Sequence, residues 1–201
     1  MRTRTRTLSG ILVVALALFA CNNTPQKKDT NSAGNSEIMQ KLFRVETSAG
    51  LFVVLPTNKN VKCKIDKLVE YNTHFFATGK YKDGEERGEI FVNYKKQTPL
   101  NFSTNNKNYY LIPFIVSNQG SGNFHYLGLF SLNKKDASSE HISSRFLGDR
   151  IKIETIKQVA DDTAEISIKV HSDKQALSEE PSETKIISVK VDKNGFSETE
   201  K

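Results

Sequence analysis

The sequence predicts an all-β body, an antiparallel sandwich or partly closed barrel of roughly ten strands. Three observations predict it. From residue 38 onward, apolar and polar residues alternate with period two, as in Ala164, Ile166, Ile168 and Val170 against Glu165, Ser167, Lys169 and His171. Turn signals punctuate that alternation at Ala49-Gly50, Asp83-Gly84, Asn118 to Asn123, Gly148-Asp149, Asp161-Asp162 and Asn194-Gly195. No stretch of 12 residues carries a helical stripe, and only Glu37 to Phe43 and Gln175 to Glu180 admit a turn or two of helix. Alternation sets one row against a core and the other in water.

The chain begins with Arg2, Arg4 and Arg6, then an apolar run from Leu8 to Ala20, with small Ala20 directly before Cys21. This is the layout of an export signal over residues 1–20. At 1.5 Å per residue the run spans about 20 Å as a helix, short of the roughly 30 Å hydrocarbon core of a bilayer. A permanent membrane span is therefore the weaker reading.

Residues 21–36 contain Ala33 as the one apolar residue after the cysteine and read as a flexible tether. The β body follows over residues 37–197, with a possible subdivision near 104 in the polar stretch Asn101 to Asn108.

Within that body, Val61-Lys62-Cys63-Lys64-Ile65-Asp66 alternates strictly, which places Cys63 on the inner face as an inert thiol. Ile90, Val92 and Tyr94 flank Phe91 and Asn93 in the same way. Leu51 to Leu55 and Tyr109 to Val116 are apolar without alternation, which suits strands covered on both faces. Pro113 inside the second cannot donate to a ladder, so a bulge or an edge-like position is expected there.

Charge excludes one class of partner. The chain has 29 basic and 23 acidic residues, a formal charge of +6, but the leader holds three of the arginines and no acid. Residues 37–201 carry 24 basic against 22 acidic residues, which leaves no footprint for nucleic acid. After the leader, 22 Lys stand against four Arg, a balance of soluble surface more than of forked anion recognition.

Leu18-Phe19-Ala20-Cys21 resembles the lipobox of bacterial lipoproteins. The resemblance implies cleavage before Cys21, a diacylglycerol thioether on its sulfur and acylation of the new amino group. Several acyl chains give lasting attachment to the bilayer where one does not. Asn22, where an Asp is absent, implies the outer membrane, and NNTPQKKD has no acidic run, which favours the periplasmic side. With Cys21 lipidated, Cys63 has no partner for an intramolecular disulfide. The segments YYLIPFIVSNQGSGNFHYLGLF and FLGDRIKI with the strand after them also resemble a module of uncharacterised envelope lipoproteins, over roughly residues 107–191. That resemblance implies location and compactness without chemistry.

The candidate binding loop is Asn118, Gln119, Gly120, Ser121, Gly122 and Asn123, with Asp149 and Arg150 as a neighbouring pair. The glycines suit a tight hairpin needing positive φ between strands 109–117 and 124–132. The loop from Lys134 to His141 is a further contact surface, while Lys95-Lys96 and Lys134-Lys135 read as solvated turns. Four histidines, His74, His125, His141 and His171, show no metal spacing, so no metal or other cofactor is expected. Glu179, Glu180 and Glu183 form an acidic loop around Pro181 without a calcium pattern.

The function expected from these features is a non-catalytic binding or interaction module, membrane-anchored in a bacterial envelope, whose partner is an envelope protein or glycan. A structural or assembly lipoprotein is the alternative. An envelope hydrolase, built from His125, His141, Asp149 and a serine such as Ser121, ranks last.

Overall fold

A computed structural model describes residues 50–71, 74–102 and 104–197. The signal, Cys21, the tether, the Glu37–Phe43 segment and Ala49 lie outside the described residues. The described residues are all-β. Three antiparallel sheets stack as layers, so the sandwich is the form realised and none of the sheets closes into a barrel.

The central layer has seven strands. In spatial order they are β3 (Lys67–Tyr71), β4 (His74–Asp83), β5 (Glu86–Val92), β7 (Lys107–Asn118), β8 (Asn123–Asn133) and β9 (Ser139–Asp149), with the short β6 (Thr98–Pro99) also on β7. Strands from both sides of residue 104 share this sheet. One face carries the hairpin of β1 (Leu51–Leu55) and β2 (Asn58–Ile65). The other carries a four-stranded sheet of β10 (Lys152–Ala160), β11 (Thr163–Val170), β12 (Glu183–Asp192) and β13 (Gly195–Phe196).

Alternation along β7 builds two cores at once. Ile112, Phe114 and Val116 join Val53, Cys63, Ile90 and Phe130 in the core under the hairpin. Tyr109 and Leu111 join Leu127, Leu129, Ile153, Ile166 and Val191 in the core under the four-stranded sheet. The unbroken apolar run of β7 is thus explained by cover on both faces.

The same reading fails for β1. Leu51, Val53 and Leu55 are buried, but Phe52 is 39% exposed, because the hairpin is an outer layer with nothing packed over it among the described residues.

Pro113 takes the edge-like position, without a bulge. Its carbonyl accepts the Asn93 N–H at 2.9 Å, so its backbone polar groups face the side of β7 where β5 ends and β6 has yet to begin. The missing proline N–H falls at that gap, and the register with β8 runs through unshifted. In the gap the chain makes a 3-10 turn over Tyr94–Lys96, which corrects the expectation that Tyr94 continues the strand, although its ring is still buried. Gln175 to Glu180 forms isolated turns, closed by Gln175 N–H to Ser172 O and Glu179 N–H to Ala176 O, both at 3.0 Å.

Close approach of the hairpin to the sheet depends on Gly79. A Cβ there would lie 1.9 Å from the Lys64 carbonyl oxygen, so only glycine lets β2 rest on β4. Cys63 is fully buried in this layer, and burial pushes its thiol up to about 12. It has the environment of an inert core thiol.

Candidate functional site

The two parts of the sequence-based candidate site meet. The Arg150 guanidinium donates to the Ser121 carbonyl through Nε at 3.1 Å and Nη2 at 2.7 Å, and Nη2 also reaches Ser121 Oγ at 3.0 Å. The Asn123 N–H donates to Asp149 Oδ1 at 2.8 Å, and the Arg150 N–H to the Asn123 carbonyl at 2.9 Å. Within the loop, Asn118 Oδ1 accepts the Gly120 N–H at 3.0 Å. Gln119 and Gly122 complete the turn between β7 and β8.

The backbone strain falls elsewhere than expected. Gly120 and Gly122 are not in the positive-φ region, whereas Gly148 has φ +154° and Arg150 has φ 49°. Side-chain hydrogen bonds close the hairpin, so its glycines need no left-handed conformation. Asp149 and Arg150 direct their polar atoms into the turn itself, which makes this cluster a lock on the hairpin.

The four residues of the hydrolase reading are not gathered in one place. Ser121 is held by Arg150, and Asp149 by the Asn123 amide. His141 stacks on Phe130 at 4.6 Å in the core under the hairpin. His125 lies on the opposite face of the sheet from His141, within electrostatic reach of Asp149 but lining a different cavity from His141.

His141 does sit beside a serine that sequence reasoning did not single out. Ser144 Oγ lies 3.2 Å from His141 Nε2, at a hollow lined by Val54, Pro56 and Lys59. The Val54 N–H donates to His141 Nδ1 at 2.9 Å. An amide can only donate, so Nδ1 is the acceptor and the neutral ring carries its proton on Nε2. Nε2–H therefore donates toward Ser144, and the ring has no lone pair there to take a hydroxyl proton. A serine nucleophile needs the opposite tautomer. Burial depresses the ring to about 4, with a backbone hydrogen bond toward Ser143 opposing, so it stays neutral near pH 7.

A second cavity, a cleft between layers, has no counterpart among the sequence-based candidates. Its volume is about 380 Å³. The four-stranded sheet packs on β7 to β9 but not on β3 to β5, and the cleft opens where that cover ends. The central sheet contributes His74, Phe76, Asn93, Pro113, Ile115 and His125. Ile151, Lys152 and Ile153 at the start of β10, with Glu180, Pro181 and Lys96, complete the lining. Burial depresses the His125 imidazole to about 4 against the pull of Asp149, leaving one N–H donor and one acceptor at neutral pH.

Lys95 and Lys96 are more engaged than solvated turns. Lys95 Nζ lies 3.4 Å above the Phe75 ring centroid, and Lys96 Nζ donates to the Glu154 carbonyl at 2.8 Å. The acidic loop supplies Glu180 to Lys152 at 3.5 Å. Among the described residues no cluster of His, Cys, Asp or Glu has the arrangement of a metal site. No single sequence signal marks the cleft, since its walls come from residues 74 to 181 and only the folded sheet brings them together.

Comparison with protein-family models, curated proteins and solved structures returned no match.

Proposed function

We propose that this chain is a lipoprotein of a bacterial envelope, anchored through acylated Cys21, whose β body serves as a non-catalytic binding module. The observation that carries the binding part is the cleft at the layer junction. It has an apolar floor of Phe76, Pro113, Ile115 and Ile153 and a polar margin of Asn93, Lys96 and His125. An apolar cavity with a few convergent polar groups is the usual form of a ligand site. The anchoring part rests on the leader and the Leu18–Cys21 motif. Placement on the periplasmic side of the outer membrane rests on Asn22 and on the tether's lack of an acidic run.

Metabolic labelling with palmitate tests the anchor. Wild type is expected to incorporate label and fractionate with membranes, and Cys21→Ala to lose both. Label retained by Cys21→Ala removes the anchor.

The alternative of an assembly lipoprotein draws on one feature, Phe146. It is 52% exposed on β9, an edge of the central sheet, and packs on Tyr126 at 5.3 Å. An aromatic on an open edge suits an extended strand from a partner envelope protein.

A further inference from the structure

The charges around the cleft are unequally satisfied. Lys152 has Glu180 at 3.5 Å. Glu154, the acid nearest in sequence to the Lys96 contact, turns its carboxylate to Lys169 at 3.6 Å and to Ser167 Oγ at 3.4 Å. Lys96 Nζ donates to the Glu154 carbonyl, and no carboxylate among the described residues comes within salt-bridge distance of it, although the Glu154 charge acts on it from farther off. An ammonium has three donors, so two remain. The neutral His125 imidazole and Asn93 line the same cavity.

Burial opposes the Lys96 charge, and the Glu154 carboxylate that favours it is shared with Lys169, so a partly buried cation with no carboxylate in contact, beside an apolar cavity, suits an anion joined to an apolar body. The volume of about 380 Å³ admits one ligand of modest size. We propose that the cleft binds a fatty carboxylate, with the head group at Lys96 and the acyl chain along Ile115, Ile151 and Ile153. This rests on the reading of the chain as a binding module and names the ligand class that the module takes. A carboxylate at Lys96 supplies a direct ion pair, and the methylenes replace water on the isoleucines.

Titration calorimetry on the full chain carrying Cys21→Ser tests it, with dodecanoate, decanoate, dodecanol and dodecyltrimethylammonium as probes below their aggregation concentrations. Dodecanoate is expected to bind at least roughly tenfold tighter than dodecanol. It should exceed decanoate by roughly fifteenfold, at about fourfold per methylene. Lys96→Met should abolish the preference over dodecanol, with circular dichroism unchanged. Ile115→Trp, which fills the cavity, should remove binding of every probe.

Equal binding of dodecanoate and dodecanol overturns the carboxylate assignment while leaving the cleft a binding site. So does a preference for the cationic probe. Binding that survives Ile115→Trp overturns the location. Failure of all four probes overturns the inference, whereas the binding module itself is tested separately by in-cell crosslinking from position 115.

Discussion

The Val54 amide donates to His141 Nδ1 across 87 residues of sequence and joins the outer hairpin to the edge of the central sheet. The bond sits beside the rings of Phe114 and Phe130, at 5.6 and 4.6 Å from the imidazole. His141→Phe keeps the ring packing but strands the Val54 N–H. It should lower unfolding free energy by about 1–3 kcal/mol, read as a reduced urea midpoint with unchanged slope.

The same ring predicts a pH dependence. His141 and His125 both fall from 6.5 to about 4 on folding, so between those values the unfolded chain binds more protons. Stability therefore rises with pH through this window. It is complete above about pH 6.5 and is lost as pH falls toward 4, by up to about 1.4 kcal/mol per pH unit for each histidine. Urea unfolding at a series of pH values should show this slope, and His141→Phe should roughly halve it, leaving the His125 part.

Gly79 should tolerate no side chain. A Cβ would lie 1.9 Å from the Lys64 oxygen and 2.8 Å from its carbonyl carbon, both backbone atoms of the packed hairpin. Gly79→Ala is expected to cost about 3 kcal/mol or more and to lower the melting temperature sharply, whereas Lys80→Ala next to it should stay within about 0.5 kcal/mol.

Ser144 should be unreactive. With the proton of His141 on Nε2, the imidazole offers the hydroxyl no acceptor. A fluorophosphonate probe is expected to leave Ser144 unlabelled by mass spectrometry of the folded chain. Stoichiometric labelling would reopen the hydrolase reading.

Cys63 should resist alkylation in the fold, since its thiol is fully buried and raised to about 12. Iodoacetamide is expected to modify it at neutral pH only after urea is added.

Much of the architecture was legible as period-two alternation. The strict alternation of Val61 to Ile65 correctly placed Cys63 inside, and the unbroken run of Tyr109 to Val116 signalled a strand covered on both faces. An equally unbroken run at Leu51 to Leu55 misled, because local hydrophobicity cannot tell an inner layer from an outer hairpin. The Asn118–Asn123 turn was visible, but its closure by Arg150 was not. That contact depends on the register between β8 and β9. The cleft was invisible for a related reason: His74, His125 and Ile153 are distant in sequence, and the cavity exists only because the second sheet covers part of the first.

The binding role is tested most directly by a photoactivatable residue at position 115, inside the cleft, compared in intact cells with the same residue at exposed Val159. A discrete light-dependent adduct is expected from position 115, absent from position 159 and lost when Ile153→Trp fills the cleft. No adduct from position 115, or the same adduct from both positions, would contradict it.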